Sequence, residues 1–105
     1  MPKLTFEELL LESVDEGLSS LGESSKQAIY FHIEKRFNIK RREIPGNIAA
    51  FDQAIEKLFG LGASFLKTLI LKRLLEKADP ASKQDAFKRA DFVGTVTAVK
   101  QAMEL

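Results

Sequence analysis

Few residues in this chain of 105 have side chains able to react or to bind a metal. His32 is the only histidine and there is no cysteine. A metal site would therefore need one imidazole and several scattered carboxylates, without the thiolate or paired-histidine spacing that zinc sites use. Ser24 or Ser25, His32 and Glu34 are residue types that can act as nucleophile, base and acid. The strand-turn-helix setting that exposes a nucleophilic serine is missing, and on one helix these side chains turn in different directions. Gly60-Leu61-Gly62 lacks the Gly-Lys-Ser/Thr that completes a phosphate loop and follows a helical pattern, so it predicts a tight interhelical turn. These residues predict no catalytic site, no metal site and no cofactor.

The one dense chemical feature is the basic run Lys35, Arg36, Lys40, Arg41 and Arg42. Clustered cations release counterions from nucleic-acid phosphates, and a helix-turn-helix can place such residues at a backbone. They can equally serve as a solvated helix end that pairs with an acidic helix or an acidic protein surface. Glu43 follows directly and the pI is about 8.0, below the strongly basic range of nucleic-acid binders, which favours the second use. The net charge of +1 hides an uneven layout. Before Lys26, Lys3 alone stands against Glu7, Glu8, Glu12, Asp15, Glu16 and Glu23, whereas from Lys26 to Arg42 only Glu34 opposes six cations. Such asymmetry steers partners or pairs neighbouring helices.

The elements that position these residues read as one helical domain over residues 1–105. A hydrophobic content of 45% with 30% charged residues is that of an ordinary globular domain, able to bury an adequate core without disulfides. No apolar run reaches the roughly 18 to 20 residues of a membrane span. The first residues are acidic where a secretory signal is basic, so the expected location is cytoplasmic.

Thr5 and Glu8 have capping-box spacing, with Leu4 and Leu9 placed for a hydrophobic staple. Helix one thus starts near Phe6, carries Phe6, Leu9, Leu10, Val14, Leu18 and Leu21 as its apolar stripe, and stops at Gly22. Ser24 and Gln27 form a second capping box and open helix two, whose Ala28, Ile29, Phe31, Ile33 and Phe37 predict a wide buried face and a central position. Ile44-Pro45-Gly46 predicts a loop. Asn47 caps helix three, in which Ile48, Phe51, Ile55, Leu58 and Phe59 run to a stop at Gly60. In helix four, Ala63 to Ala78, the residues Phe65, Leu66, Leu69, Ile70, Leu74 and Leu75 predict one apolar face. Asp79-Pro80-Ala81 breaks the chain and Ser82 with Asp85 restarts it for a last helix over about 82–103. The β-branched run Val93 to Val99 makes that segment partly strand-like, with helix favoured.

The string Leu21-Gly22-Glu23-Ser24, the Tyr30-Phe31 pair before His32, the Ile44-Pro45 break and Leu58-Phe59-Gly60 followed by Gly62-Ala63 together resemble a family of small helical domains of archaeal proteins, described as output domains of signalling proteins. The likeness covers about residues 6–78. It implies a use in signalling or regulation and brings no catalytic residues with it.

The combined expectation is an all-α, compact bundle of about five helices with helices two and four at its centre. Its function is expected to be that of a non-enzymatic regulatory or protein-interaction module, with nucleic-acid binding by the basic run as the alternative. Phe31 and Leu69 are expected in the core. Phe92, Val96, Val99 and Met103 form an apolar seam on the last helix that either mediates self-association, giving a homodimer, or closes the bundle.

Overall fold

The structure, a computed structural model, describes residues 5–78 and 91–103. All elements among them are helical: α1 (Phe6–Ser19), α2 (Glu23–Phe37), a 3₁₀ segment (Arg41–Asn47), α3 (Ile48–Phe59), a 3₁₀ turn (Gly60–Gly62), α4 (Ala63–Lys77) and α5 (Phe92–Met103). The all-helical, compact expectation therefore stands, while the tally of about five does not carry over. Four α-helices fill residues 6–77 and the terminal helix is described only from Phe92. The Leu4 staple, the Asp79-Pro80-Ala81 break and the Ser82 start lie outside the described residues.

α1 forms as its sequence predicts. The Thr5 hydroxyl accepts the Glu8 N–H at 3.1 Å and the Glu8 carboxylate accepts the Thr5 N–H at 3.3 Å, which satisfies two orphan donors of the first turn. Its buried stripe is Phe6, Leu9, Leu10, Val14 and Leu18, with Ser13 made tolerable by donating its hydroxyl to the Leu9 carbonyl at 2.7 Å. The helix stops at Ser19, earlier than expected, and Leu21 is partly exposed. Gly22 serves the next element instead: at φ 107° it takes a turn that a side chain would strain, and leads into α2.

α2 begins at Glu23 without a side-chain cap, so the Ser24–Gln27 capping box does not form. The expected wide face is also wrong. Only Ile29 and Ile33 are buried, Phe37 is half-buried, and Ala28 and Phe31 face outward. At about 100° per residue, Phe31 points about 200° away from both Ile29 and Ile33 and cannot share their side of the helix. α2 is thus an outer helix. Asn38 ends it in the left-handed conformation, φ 57°, and turns the chain so that Ile39 is buried.

The expected loop at Ile44-Pro45-Gly46 is part of the 3₁₀ segment, which drives Ile44 fully into the core. Its first turn is held by the Glu43 carboxylate accepting the Lys40 N–H at 2.8 Å. Asn47 precedes α3 but does not cap it with its side chain, whose amide donates back to the Glu43 carbonyl at 2.9 Å. α3 buries Phe51, Ala54 and Ile55, and Gly60, at φ 55°, closes it as predicted.

α1 and α4, not α2 and α4, are the central pair. They run antiparallel, since Gly17 meets Ile70 while Glu12 and Glu16 meet Lys77. A Cβ on Gly17 would stand 2.8 Å from Ile70 Cγ1, so the glycine lets the two backbones approach. α4 buries Ala63, Leu66, Ile70, Leu74 and Leu75; Leu69 is half-buried and Phe65 is exposed, which narrows the expected face. α5 is helix throughout, capped by Asp91, whose carboxylate accepts the Gly94 N–H at 2.7 Å. It lays Phe92 beside Phe51, ring centroids 6.3 Å apart, against α3 and α4.

Candidate functional site

The basic run spans the end of α2 and the start of the 3₁₀ segment, and the structure divides it. Arg41 is committed to α1: its Nε donates to Asp15 Oδ1 at 3.0 Å and an Nη to Oδ2 at 2.5 Å. Tyr30 donates its hydroxyl to the same Oδ1 at 2.5 Å. Partial burial works to raise the Asp15 pKa, but the bonds from Arg41 and Tyr30 win and hold it below 3.8. Burial, and then the bond to Asp15, push the Tyr30 phenol up, so it stays a neutral donor. The bond to Asp15 likewise raises Arg41. This three-residue clasp fixes the angle at which the 3₁₀ segment leaves α2.

The other four cations, Lys35, Arg36, Lys40 and Arg42, are exposed and make no ion pair with any described residue. The Arg36 guanidinium lies 5.7 Å from the centroid of the Phe37 ring, a partial tether only. Phe31, one turn before Lys35 on the same stripe, is 57% exposed. A shallow cleft of ≈ 330 Å³ lined by Gln27, Tyr30, Phe31, Glu34 and Arg41 shows that the 3₁₀ segment comes alongside Phe31. Phe31 and Lys35 thus share one stripe of α2 with the exposed Glu34 beside them, while Arg36 lies about 140° round the helix by Phe37 and Lys40 and Arg42 follow at the 3₁₀ segment.

His32 stands exposed with its ring edge-on to Phe31, centroids 5.5 Å apart. It lies about 10 to 12 Å along the helix from Ser24 and Ser25, outside hydrogen-bond reach of their hydroxyls. Among the described residues no cluster of His, Asp and Glu could hold a metal ion.

Sequence reasoning missed the main partner of acidic α1, which is α4. Lys77 binds Glu16 at 2.7 Å and Glu12 at 3.7 Å, and Arg73 reaches Glu16 at 3.8 Å. The signal was present, since α4 carries cations at Arg73 and Lys77, one helical repeat apart. A second ionic group, Lys67 between Asp52 and Glu56, ties α4 to α3 beside a cleft of ≈ 410 Å³ also bordered by Thr68, Asp91 and Thr95. Burial works to lower the Lys67 pKa, yet the bonds to Asp52 and Glu56 raise it on balance. It is held as a charged tie, not as a nucleophile.

The apolar seam of the last helix is corrected as a self-association surface. Phe92, Val96 and Val99 are buried in the chain's own core and Met103 is half-buried against it, so the seam closes the bundle. Among the described residues, the exposed large apolar side chains are instead Phe31, Leu21, Leu61 and Phe65. No helix among the described residues is long and apolar enough to cross a membrane. No family model, curated protein or solved structure matches the chain.

Proposed function

We propose that this chain is a non-enzymatic regulatory module, acting in the cytoplasm, that binds an acidic segment of a protein partner on the flank formed by α2 and the 3₁₀ segment. The observation that carries the reading is the exposed Phe31 with Lys35 one turn on, followed along the chain by the exposed Arg36, Lys40 and Arg42, the four cations making no ion pair among the described residues. An aromatic side chain supplies apolar contact area at small entropic cost, and a rim of free cations selects acidic partners and speeds their encounter. The Tyr30–Asp15–Arg41 clasp holds the two halves of the flank in register. The likeness to signalling output domains points to the same class of use.

The same four cations support one alternative, nucleic-acid binding through phosphates. A titration separates the two. A labelled peptide of alternating Asp, Glu and Leu is measured against generic duplex DNA and RNA, at about 50 mM and about 200 mM salt. The proposal expects the peptide to bind, and binding to weaken at least tenfold when Lys35, Arg36, Lys40 and Arg42 all become Gln. Nucleic-acid binding with a steep salt dependence and no peptide binding would replace the proposal with its alternative.

A further inference from the structure

The chain's only histidine stands in the middle of the cationic side of α2. At about 100° per residue, Lys35 lies about 40° round the helix from Phe31, His32 about 100° and Arg36 about 140°. His32 is thus between the two cations in angle and one turn before them, at the i, i+3 and i, i+4 spacings where helical side chains meet. All three are exposed. The His32 ring rests edge-on against Phe31, centroids 5.5 Å apart, so the imidazole belongs to the same surface as the aromatic anchor.

The carboxylates near α2 are directed elsewhere. Glu34 is about 160° round the helix from His32, where it lines the cleft with Tyr30 and Arg41. α1 and α3 pack on the side of Ile29 and Ile33. From α1, Asp15 is held by Tyr30 and Arg41, and Glu12 and Glu16 face α4. From α3, Lys57 lies 5.9 Å from the centroid of the Phe37 ring. In the 3₁₀ segment, the Glu43 carboxylate accepts the Lys40 N–H. A proton on His32 therefore adds a third positive charge beside Lys35 and Arg36 with no described carboxylate facing it, and acidic residues of a partner offset that charge.

Resting on the function proposed above, we infer that His32 is the pH-dependent contact of the acidic-segment site: its imidazole takes up a proton as the partner's carboxylates seat by Lys35 and Arg36, and binding tightens as pH falls from about 8 to about 6. Lysine, arginine and the acidic side chains of the partner keep their ordinary charges over that interval, which leaves the imidazole to carry the response. The coupling is reciprocal: a ligand that favours the protonated ring binds best where the ring is protonated, and draws the proton in where it is not.

The titration with the labelled Asp, Glu and Leu peptide, run at about pH 8 and about pH 6 in about 50 mM salt on the parent, His32→Gln and His32→Lys, tests this. An exposed ion pair changes affinity a few-fold, so the parent is expected to bind about threefold more tightly at the lower pH. His32→Gln is expected to bind at both pH values as the parent does at the higher one. His32→Lys, charged throughout, is expected to bind at both as the parent does at the lower one. The imidazole proton resonances of the parent are expected to titrate at higher pH with saturating peptide than without it. The parent and both variants are expected to share one helical circular-dichroism spectrum, since the side chain is in solvent. Peptide binding that is the same at both pH values overturns the inference and leaves the proposed function standing. A pH response that survives in His32→Gln belongs to another group and overturns the inference equally, and a peptide that binds at neither pH overturns the inference and the proposed function together.

Discussion

Phe31 and Phe51 show at the scale of single residues how the same side chain serves opposite purposes. Phe51 is fully buried and Phe31 is mostly in solvent. Phe51→Ala is expected to lower stability by about 3 to 5 kcal/mol, and Phe31→Ala to stay within about 0.5 kcal/mol of the parent, by urea unfolding. Equal losses would put Phe31 in the core. Gly17→Ala is a case where intrinsic propensity misleads. In a free helix alanine is better by about 1 kcal/mol, but here its Cβ would press on Ile70 at 2.8 Å, so a net loss of about 1 to 2 kcal/mol is expected. A stabilised variant would show that the α1–α4 contact gives way. Asp15 provides a pH signature. Its folded pKa lies below its ordinary 3.8, so its contribution is fully present above about pH 4 and is lost as pH falls through the folded value. The difference in urea midpoint between the parent and Asp15→Asn should therefore be largest near neutral pH and shrink on acidification. A gap independent of pH would contradict the ionic clasp.

At the scale of elements, α1 and α3 were legible because each stripe follows three- and four-residue steps, and the Thr5–Glu8 box and Gly60 stop mark real ends, whereas in α4 Phe65 and Leu69 made the expected face wider than the buried one. α2 was misread for a physical reason. Its five apolar residues are spread around the helix, and counting them without tracking their angles turned an outer helix into a central one. The Ser24 box failed because Gly22 already turns the chain two residues earlier. Pro45 suggested a loop, but the fixed proline φ also suits a short 3₁₀ stretch, and the buried Ile44 gives that stretch its anchor. The α5 seam was legible as apolar but its occupant was not, since a periodic pattern is the same whether the covering surface belongs to one chain or to two. The structure decides for one. Val96→Glu is accordingly expected to unfold the chain, measured as loss of the cooperative thermal transition, because an unpaired charge would enter a side chain's space that is 2% exposed. A folded Val96→Glu variant would return the seam to the surface.

Over the whole molecule, charge is used in two ways. Acidic α1 is tied on one side to α4 through Arg73 and Lys77 and on the other to the 3₁₀ segment through Arg41, and these ties engage Glu12, Asp15 and Glu16, half of the six acidic residues read before Lys26. What is left over, Lys35, Arg36, Lys40 and Arg42 with Phe31, was half legible. The cations stood in one run, but nothing in their spacing told Arg41, which is structural, from its neighbours, because its partner Asp15 is 26 residues away. The central claim is that this remainder is a binding flank for an acidic protein segment. The most direct test is a titration of the isotope-labelled chain with the Asp, Glu and Leu peptide, followed by amide chemical shifts. The account predicts saturable shifts confined to Phe31, His32, Lys35, Arg36, Lys40 and Arg42 and their immediate neighbours, while shifts that cluster on any other face, or no shifts up to about 1 mM peptide, a limit of weak binding near 4 kcal/mol, would contradict it.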